Sequence, residues 1–250
     1  MKTMTTLTQK TLTLTAGAAI ALGGLVVGAN PAAAVTFGQS NDCAEVPGDP
    51  HAQECSLQTL LNDATVSGPG IDVVGDISTT DTFNYSSILS TLMFEVAGFS
   101  DRNTFGVYSV ADPSVKIQIF DGPDSPTTSK SLTEAQIAAL GGGSFGFYLT
   151  NPRNDTFYTQ NHLNYGGNQH ALVYEGNGSK FDVNGTLLKF GLGDFIIAFE
   201  DLKEGSKYAD WDYQDMVVHV STKDVPEPSL LLGLGAMAGS LFATRKRKSS

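Results

Sequence analysis

The 250-residue chain is poor in cysteine, histidine and charge. Two cysteines are too few for a disulfide-built scaffold or a four-cysteine zinc site. The four histidines, His51, His162, His170 and His219, are scattered along the chain, with no spacing that pairs one with a nucleophile. Glycine is plentiful at 27 residues but has no three-residue period, which excludes collagen. Gly141-Gly142-Gly143 lacks the lysine that follows in a phosphate-binding loop. The 15 basic residues face 26 acidic ones, a net charge of −11, which argues against nucleic acid or an anionic membrane as the main partner. Charged residues are only 16% of the chain, yet hydrophobic residues reach 41%, enough for a core and too many for wholesale disorder.

Both ends are apolar. Lys2 and Lys10 form a basic, acid-free start, and small apolar residues run from Leu12 to Ala29 before Pro31 breaks them. Ala32 and Ala34 then frame the small-residue pattern that signal peptidase cuts, which predicts a signal peptide over 1–34 and Val35 as the first mature residue. The other end, 225–250, carries Pro226-Glu227-Pro228, the uncharged stretch Ser229–Thr244, and the basic cluster Arg245, Lys246, Arg247 and Lys248. A helix over the uncharged stretch would span roughly 24 Å, at about 1.5 Å per residue. Snorkelling of the basic cluster makes up the remainder of a bilayer core, and four adjacent cations keep the tail cytoplasmic. The expectation is a transmembrane helix with the rest of the chain outside. Without these ends, 35–224 holds 9 basic and 25 acidic residues, a net charge of −16.

Pro226-Glu227-Pro228, the short apolar helix and the terminal basic cluster resemble the PEP-CTERM sorting signal of bacterial exported proteins. The resemblance implies processing near the motif by an exosortase, a membrane-embedded enzyme similar to cysteine transpeptidases. It also implies a cell-surface or extracellular-matrix destination and an association with exopolysaccharide.

Between the ends, 35–70 is Pro/Gly/Asp-rich and contains Cys43 and Cys55. In an exported protein such a pair predicts a disulfide. Metal binding by Cys43, His51 and Cys55 is the other reading. A short helix is expected at Ser56–Asp63. From residue 71 the pattern is β, with strands expected at 71–77, 89–97, 104–110, 115–120, 145–149, 170–174, 187–190, 195–200 and 213–220. Alternation in 115–120 places Val115, Ile117 and Ile119 on one buried face. One further helix is expected over 131–140, capped by Thr133 and stopped by the glycines. The expected fold over 71–224 is all-β, an antiparallel β-sandwich or jelly roll with one short helix.

This region has a second resemblance. Gly98-Phe-Ser-Asp-Arg-Asn-Thr-Phe-Gly-Val-Tyr, Phe145-Gly-Phe-Tyr-Leu, Phe199-Glu-Asp-Leu and Asp210-Trp-Asp-Tyr-Gln-Asp are similar to an uncharacterised domain of secreted bacterial proteins. That domain ends in an E-D-L … D-x-D-Y-x-D signature, and Gln214 stands where asparagine is expected. The resemblance implies a β-rich extracellular module without an established activity.

The acids of this signature can also be read physically. If 195–200 and 213–220 pair antiparallel, Glu200, Asp201, Asp210, Asp212 and Asp215 converge at one edge of the sheet. Five carboxylates that close repel one another unless neutralised. Calcium, bound by six to eight oxygens, does this best. The alternative is that the acids cap turns, face water, or pair with Lys203 and Lys207. Trp211 and Tyr213 are read as core plugs or as a sugar-stacking platform. The functional expectation is a non-enzymatic structural, adhesive or carbohydrate-binding module, stabilised by calcium. The competing reading is a secreted polysaccharide hydrolase that uses Glu200 and a downstream aspartate as its acid pair.

Overall fold

A computed structural model describes residues 55–96, 99–141 and 143–222. The expected signal peptide, Cys43, the Pro-Glu-Pro motif and the basic cluster all lie outside them. Cys55 is disulfide-bonded. No helix of the described residues is long and apolar enough to cross a membrane.

The described chain is mostly β. In order it forms α1 (Leu57–Ala64), β1 (Thr65–Ser67), β2 (Ile88–Phe94), β3 (Thr104–Ser109), β4 (Lys116–Phe120), β5 (Ser129–Leu132) and α2 (Glu134–Ala138). There follow β6 (Phe145–Thr150), β7 (Thr156–Tyr158), β8 (Ala171–Glu175), β9 (Ser179–Val183), β10 (Thr186–Phe190), β11 (Phe195–Phe199) and β12 (Met216–Ser221). Every strand pair is antiparallel. Three sheets result, with orders β1-β9-β10, β5-β2-β12-β11-β8 and β4-β3-β6-β7.

The five-stranded sheet is buried on both faces. Phe195, Ile197 and Phe199 of β11 join Met216, Val218 and Val220 of β12 in one core, with Phe105, Phe147 and Phe157 from the four-stranded sheet. The intervening Ile196, Ala198 and Val217 enter a second core with Leu57 and Leu61 of α1 and Phe181 and Phe190 of the three-stranded sheet. Burial on both faces explains why β11 and β12 read as unbroken apolar runs rather than alternating ones. Each large apolar side chain so buried contributes about 1.5–3 kcal/mol.

Several sequence expectations need correction. Residues 71–77 form a turn, not a strand. The Asp72 carboxylate accepts the Val74 and Gly75 N–H groups at 3.0 Å each, and only Ile77 makes an isolated bridge, to Tyr174. Val115 is 39% exposed, and Ile117 only half-buried. Strand β4 lies at a sheet edge, and its register with β3 shifts between Phe105 and Gly106. Such a bulge breaks alternation, so the consecutive Ile119 and Phe120 both turn inward. The helix expected over 131–140 is shorter: Ser131 and Leu132 belong to β5, and α2 starts after its cap, Thr133. Thr133 and Gln136 complete a reciprocal capping box. Strands β1, β5, β7 and β9 were not anticipated. The signal for β9 was present, since Asn184-Gly185, both at positive φ, make the two-residue turn into β10.

In the four-stranded sheet, β3 and β6 pair each tyrosine with a glycine: Gly106 lies opposite Tyr148, and Tyr108 opposite Gly146. A Cβ on Gly146 would come within 2.4 Å of the Tyr108 ring, and one on Gly106 within 2.9 Å of Tyr148 and 2.2 Å of the Ile117 carbonyl. The rings occupy the space that a side chain would need. Gly146→Ala is therefore expected to cost about 1–3 kcal/mol through overpacking. In a Tyr108→Ala background the same substitution should cost far less, because the neighbours couple. Urea denaturation of the four members of this cycle measures both numbers. Equal costs in the two backgrounds would refute the pairing.

Candidate metal centre

One end of the central sheet gathers acidic residues because of its strand pairing. Strand β11 pairs with β12 so that Phe199 faces Met216, and Val217 faces Phe94 of β2. The residues just beyond these positions are Glu200, Asp215 and Glu95. The N–H of Asp201 donates to Asp215 Oδ2 at 2.7 Å, which ties the two strand ends together.

The 201–215 connection returns through an unusual backbone. Trp211 and Tyr213 both have φ of 59°, in the left-handed region that residues other than glycine seldom enter. The flanking contacts hold this conformation. Tyr213 is buried and donates its hydroxyl to the Gln169 carbonyl at 3.0 Å, and Trp211 lies 5.0 Å from the His170 ring. Between them Asp212 accepts from the Gln214 backbone N–H at 3.3 Å and from the Gln214 side-chain amide.

Glu200, Asp212 and Asp215 thus offer carboxylate oxygens that all lie within 4.8 Å of one another. Two oxygens on opposite sides of one calcium, each at about 2.4 Å, stand about 4.8 Å apart. The donor set is all oxygen, which suits a hard cation rather than zinc or copper. Glu200 is 1% exposed, and its Oε2 has no hydrogen-bond partner. Oδ1 of Asn103, Oε1 of Gln214 and Oε1 of Glu95 are also buried without a donor. Buried acceptors left unpaired are costly, and a cation satisfies several at once.

The other two expected acids stand beside this trio. Asp201 accepts from the Asn103 amide at 2.8 Å, and its carbonyl accepts from the Asn151 amide at 2.8 Å. Asp210 is half-buried, close enough for its charge to act on Glu200 and Asp201. Lys203 pairs with Asp155 rather than with the cluster, and Lys207 lies over the Tyr208 ring. Tyr213 is a core residue, and Trp211 packs partly buried against the second core. His170 is wholly buried against Phe157, and burial lowers its pKa to about 4, so it is neutral and brings no positive charge. His162 sits in a short 3-10 turn, and His219 is buried on β12.

Sequence reasoning missed Glu95, Asn103, Asn151 and Gln214. The chain between each of the first three and Asp210–Asp215 is long, so only strand pairing brings them together. Gln214 lies inside the signature, where asparagine is expected, and its Oε1 is buried without a hydrogen-bond donor.

Electrostatics follow from burial. Desolvation, then the charges of Asp210, Asp212 and Asp201, hold the Glu200 carboxyl well above its ordinary range. Asp215 is raised likewise by burial and by Glu200, Asp201 and Asp212. Burial lifts Asp201 to about 6, against the Asn103 hydrogen bond, and lifts Glu95 to about 8, with Asp201 and Asp101 adding repulsion. These shifts favour the protonated over the charged forms of the cluster. No protein-family model matches this chain, and no curated protein matches it.

A pH dependence follows. These carboxyls are raised in the folded state, so the folded protein binds more protons than the unfolded one. The stability that these carboxyls contribute without metal is fully present below the unfolded carboxyl range, about pH 4, and is lost as pH rises toward 8. The carboxylates held low, Asp72, Asp112, Asp124, Glu175 and Asp194, are already ionised in both states over most of that window. His170, held neutral by burial, acts in the opposite sense below about pH 6.5, so in chelator the melting temperature should fall from about pH 6.5 to pH 8. A flat or rising profile would show that the cluster is not strained by its own charge.

Proposed function

We propose that this chain is an exported, non-enzymatic module of the cell surface or extracellular matrix, structural, adhesive or carbohydrate-binding, with calcium bound by Glu200, Asp212 and Asp215. Asp201 and Asp210 support the ion from its periphery. On this reading the five- and four-stranded sheets are the two layers of a jelly-roll-like β-sandwich. The three-stranded sheet and α1 cover the outer face of the larger layer. Calcium pins the β11–β12 connection and does no chemistry.

The observation that carries this reading is the sealed carboxylate of Glu200. A glycoside hydrolase needs two carboxyls astride an open cleft, one of them reaching the glycosidic oxygen. At 1% exposure Glu200 cannot meet a polysaccharide chain, whereas a bare cation fits among buried oxygens. Export and sorting rest on the sequence at 1–34 and 225–250 and on the resemblance to PEP-CTERM proteins. Signal peptidase and an exosortase-type enzyme are the corresponding partners, and the apolar helix holds the chain in the membrane before processing.

Two outcomes are expected. Calcium should raise the melting temperature of the purified protein at pH 7.5, by a stabilisation of about 2.7 kcal/mol at a hundredfold excess over Kd. The double variant Asp212→Asn, Asp215→Asn should lose that response in calorimetry and melting, while its metal-free form melts no lower than the wild type. A wild type indifferent to calcium would remove the ion from the proposal. Mass spectrometry of the exported protein should show Val35 at its amino terminus and loss of the segment after the Pro226-Glu227-Pro228 motif. An intact carboxyl end on exported material would remove the sorting step.

A further inference from the structure

The opposite end of the central sheet holds a cleft of about 390 Å³, where β8 ends and β11 begins. This volume falls within the roughly 300–1,000 Å³ of small-ligand sites. One wall is formed by Thr80 and residues 82–85, in a segment fixed at both ends: the Ser78 N–H donates to the Val173 carbonyl at 2.8 Å, and Phe83 exchanges two backbone bonds with Phe145 at 2.7 and 2.8 Å. Phe83 and Phe195, in edge-to-face contact at 4.8 Å, line its base. The other wall is the turn from Gly191 to Asp194, with Leu192 94% exposed at its tip. Gly176 lets this turn close in, since a Cβ there would lie 1.6 Å from the Gly191 carbonyl oxygen.

The polar lining has one sign. Glu175 Oε1 accepts the hydroxyls of Ser78 at 2.6 Å and Thr80 at 2.8 Å, which fixes the carboxylate and leaves Oε2 for a ligand. Asp194 accepts the Gly191 N–H at 2.8 Å, with His219 Nε2 at 3.8 Å. Tyr85 lies against Phe195 at 5.9 Å, and the charges of both carboxylates reach its phenol. Thr82 and Asn84 add uncharged donors and acceptors. Both carboxyls are held below their ordinary values, Glu175 by the Ser78 and Thr80 hydroxyls, Asp194 by His219 and the Gly191 N–H against the opposing effect of burial. Both are therefore anions at neutral pH, which suits a cationic ligand.

We infer that this cleft binds a cationic amino sugar, a glucosamine-type unit of a polysaccharide, with its ammonium on Glu175 and its ring against Tyr85. A fixed anion beside an aromatic ring selects an ammonium group. Thr82 and Asn84 suit ring hydroxyls. This assignment rests on the carbohydrate-binding form of the function proposed above.

The test is calorimetry of the full chain, at fixed calcium, with glucosamine tetramer, its fully N-acetylated counterpart, a lysine-containing peptide and a set of neutral glycans. The glucosamine tetramer should bind at least tenfold more tightly than the acetylated one, and Glu175→Gln should lose at least tenfold. Tyr85→Ala should weaken binding and Tyr85→Phe should not. Glu175 is exposed and Gln is isosteric, so an unchanged melting temperature separates lost binding from lost folding. Equal affinity for both tetramers, an inert Glu175→Gln, or tighter binding of the peptide would overturn the assignment. Binding of neutral glycans alone would overturn the amine preference and leave the carbohydrate-binding reading standing. Silence toward every glycan would overturn both.

Discussion

The antiparallel pairing of β11 with β12, buried on both faces, is the constraint on which the other features rest. It places apolar side chains into two cores at once, Phe195, Ile197 and Phe199 to one side, Ile196 and Ala198 to the other. It also fixes where the strands stop. Phe199 faces Met216, so the chain leaves the sheet at Glu200 and enters it at Asp215. The same register sends β8 and β11 to the other end, where Glu175 and Asp194 border the cleft. Both candidate sites are therefore ends of one sheet, and a slip of one residue would exchange the faces of every side chain in these strands.

The two ends treat acidic residues in opposite ways. At the 200–215 end, burial and mutual repulsion push the carboxyls up, and several oxygens lack any donor. At the Glu175 end, hydroxyl and backbone donors hold the carboxyls down and ionised. The first arrangement is unstable without a proton or a cation. The second is a settled negative surface that needs no ion. The net charge of the chain is the same number in both descriptions and distinguishes neither.

Much of the fold was legible. Unbroken apolar runs at 195–199 and 216–220 marked central strands, and the Thr133 cap marked the start of a helix. The acids of the candidate centre were legible as a group because they are close in sequence and flank two strands. What was not legible depends on distance along the chain. The glycine–tyrosine reciprocity of β3 and β6 requires their register. The bulge that buries Ile119 beside Phe120 requires a partner strand. Glu95 and Asn103 lie about a hundred residues from the acids they approach, and no local pattern marks them. The cleft was not anticipated at all, because its walls come from three separated segments.

By itself, the sequence determined composition, periodicity and local chemistry: a β-rich domain, an acid-rich connection and two ends with the pattern of export signals. These properties are carried by neighbouring residues and survive without a fold. Only the tertiary structure decided which acids share a centre, which carboxylates are sealed from solvent and which face a cleft. Burial and pairing between distant strands set the electrostatic environment of each carboxyl. The same residue type therefore becomes a candidate cation ligand at Glu200 and an exposed anion at Glu175.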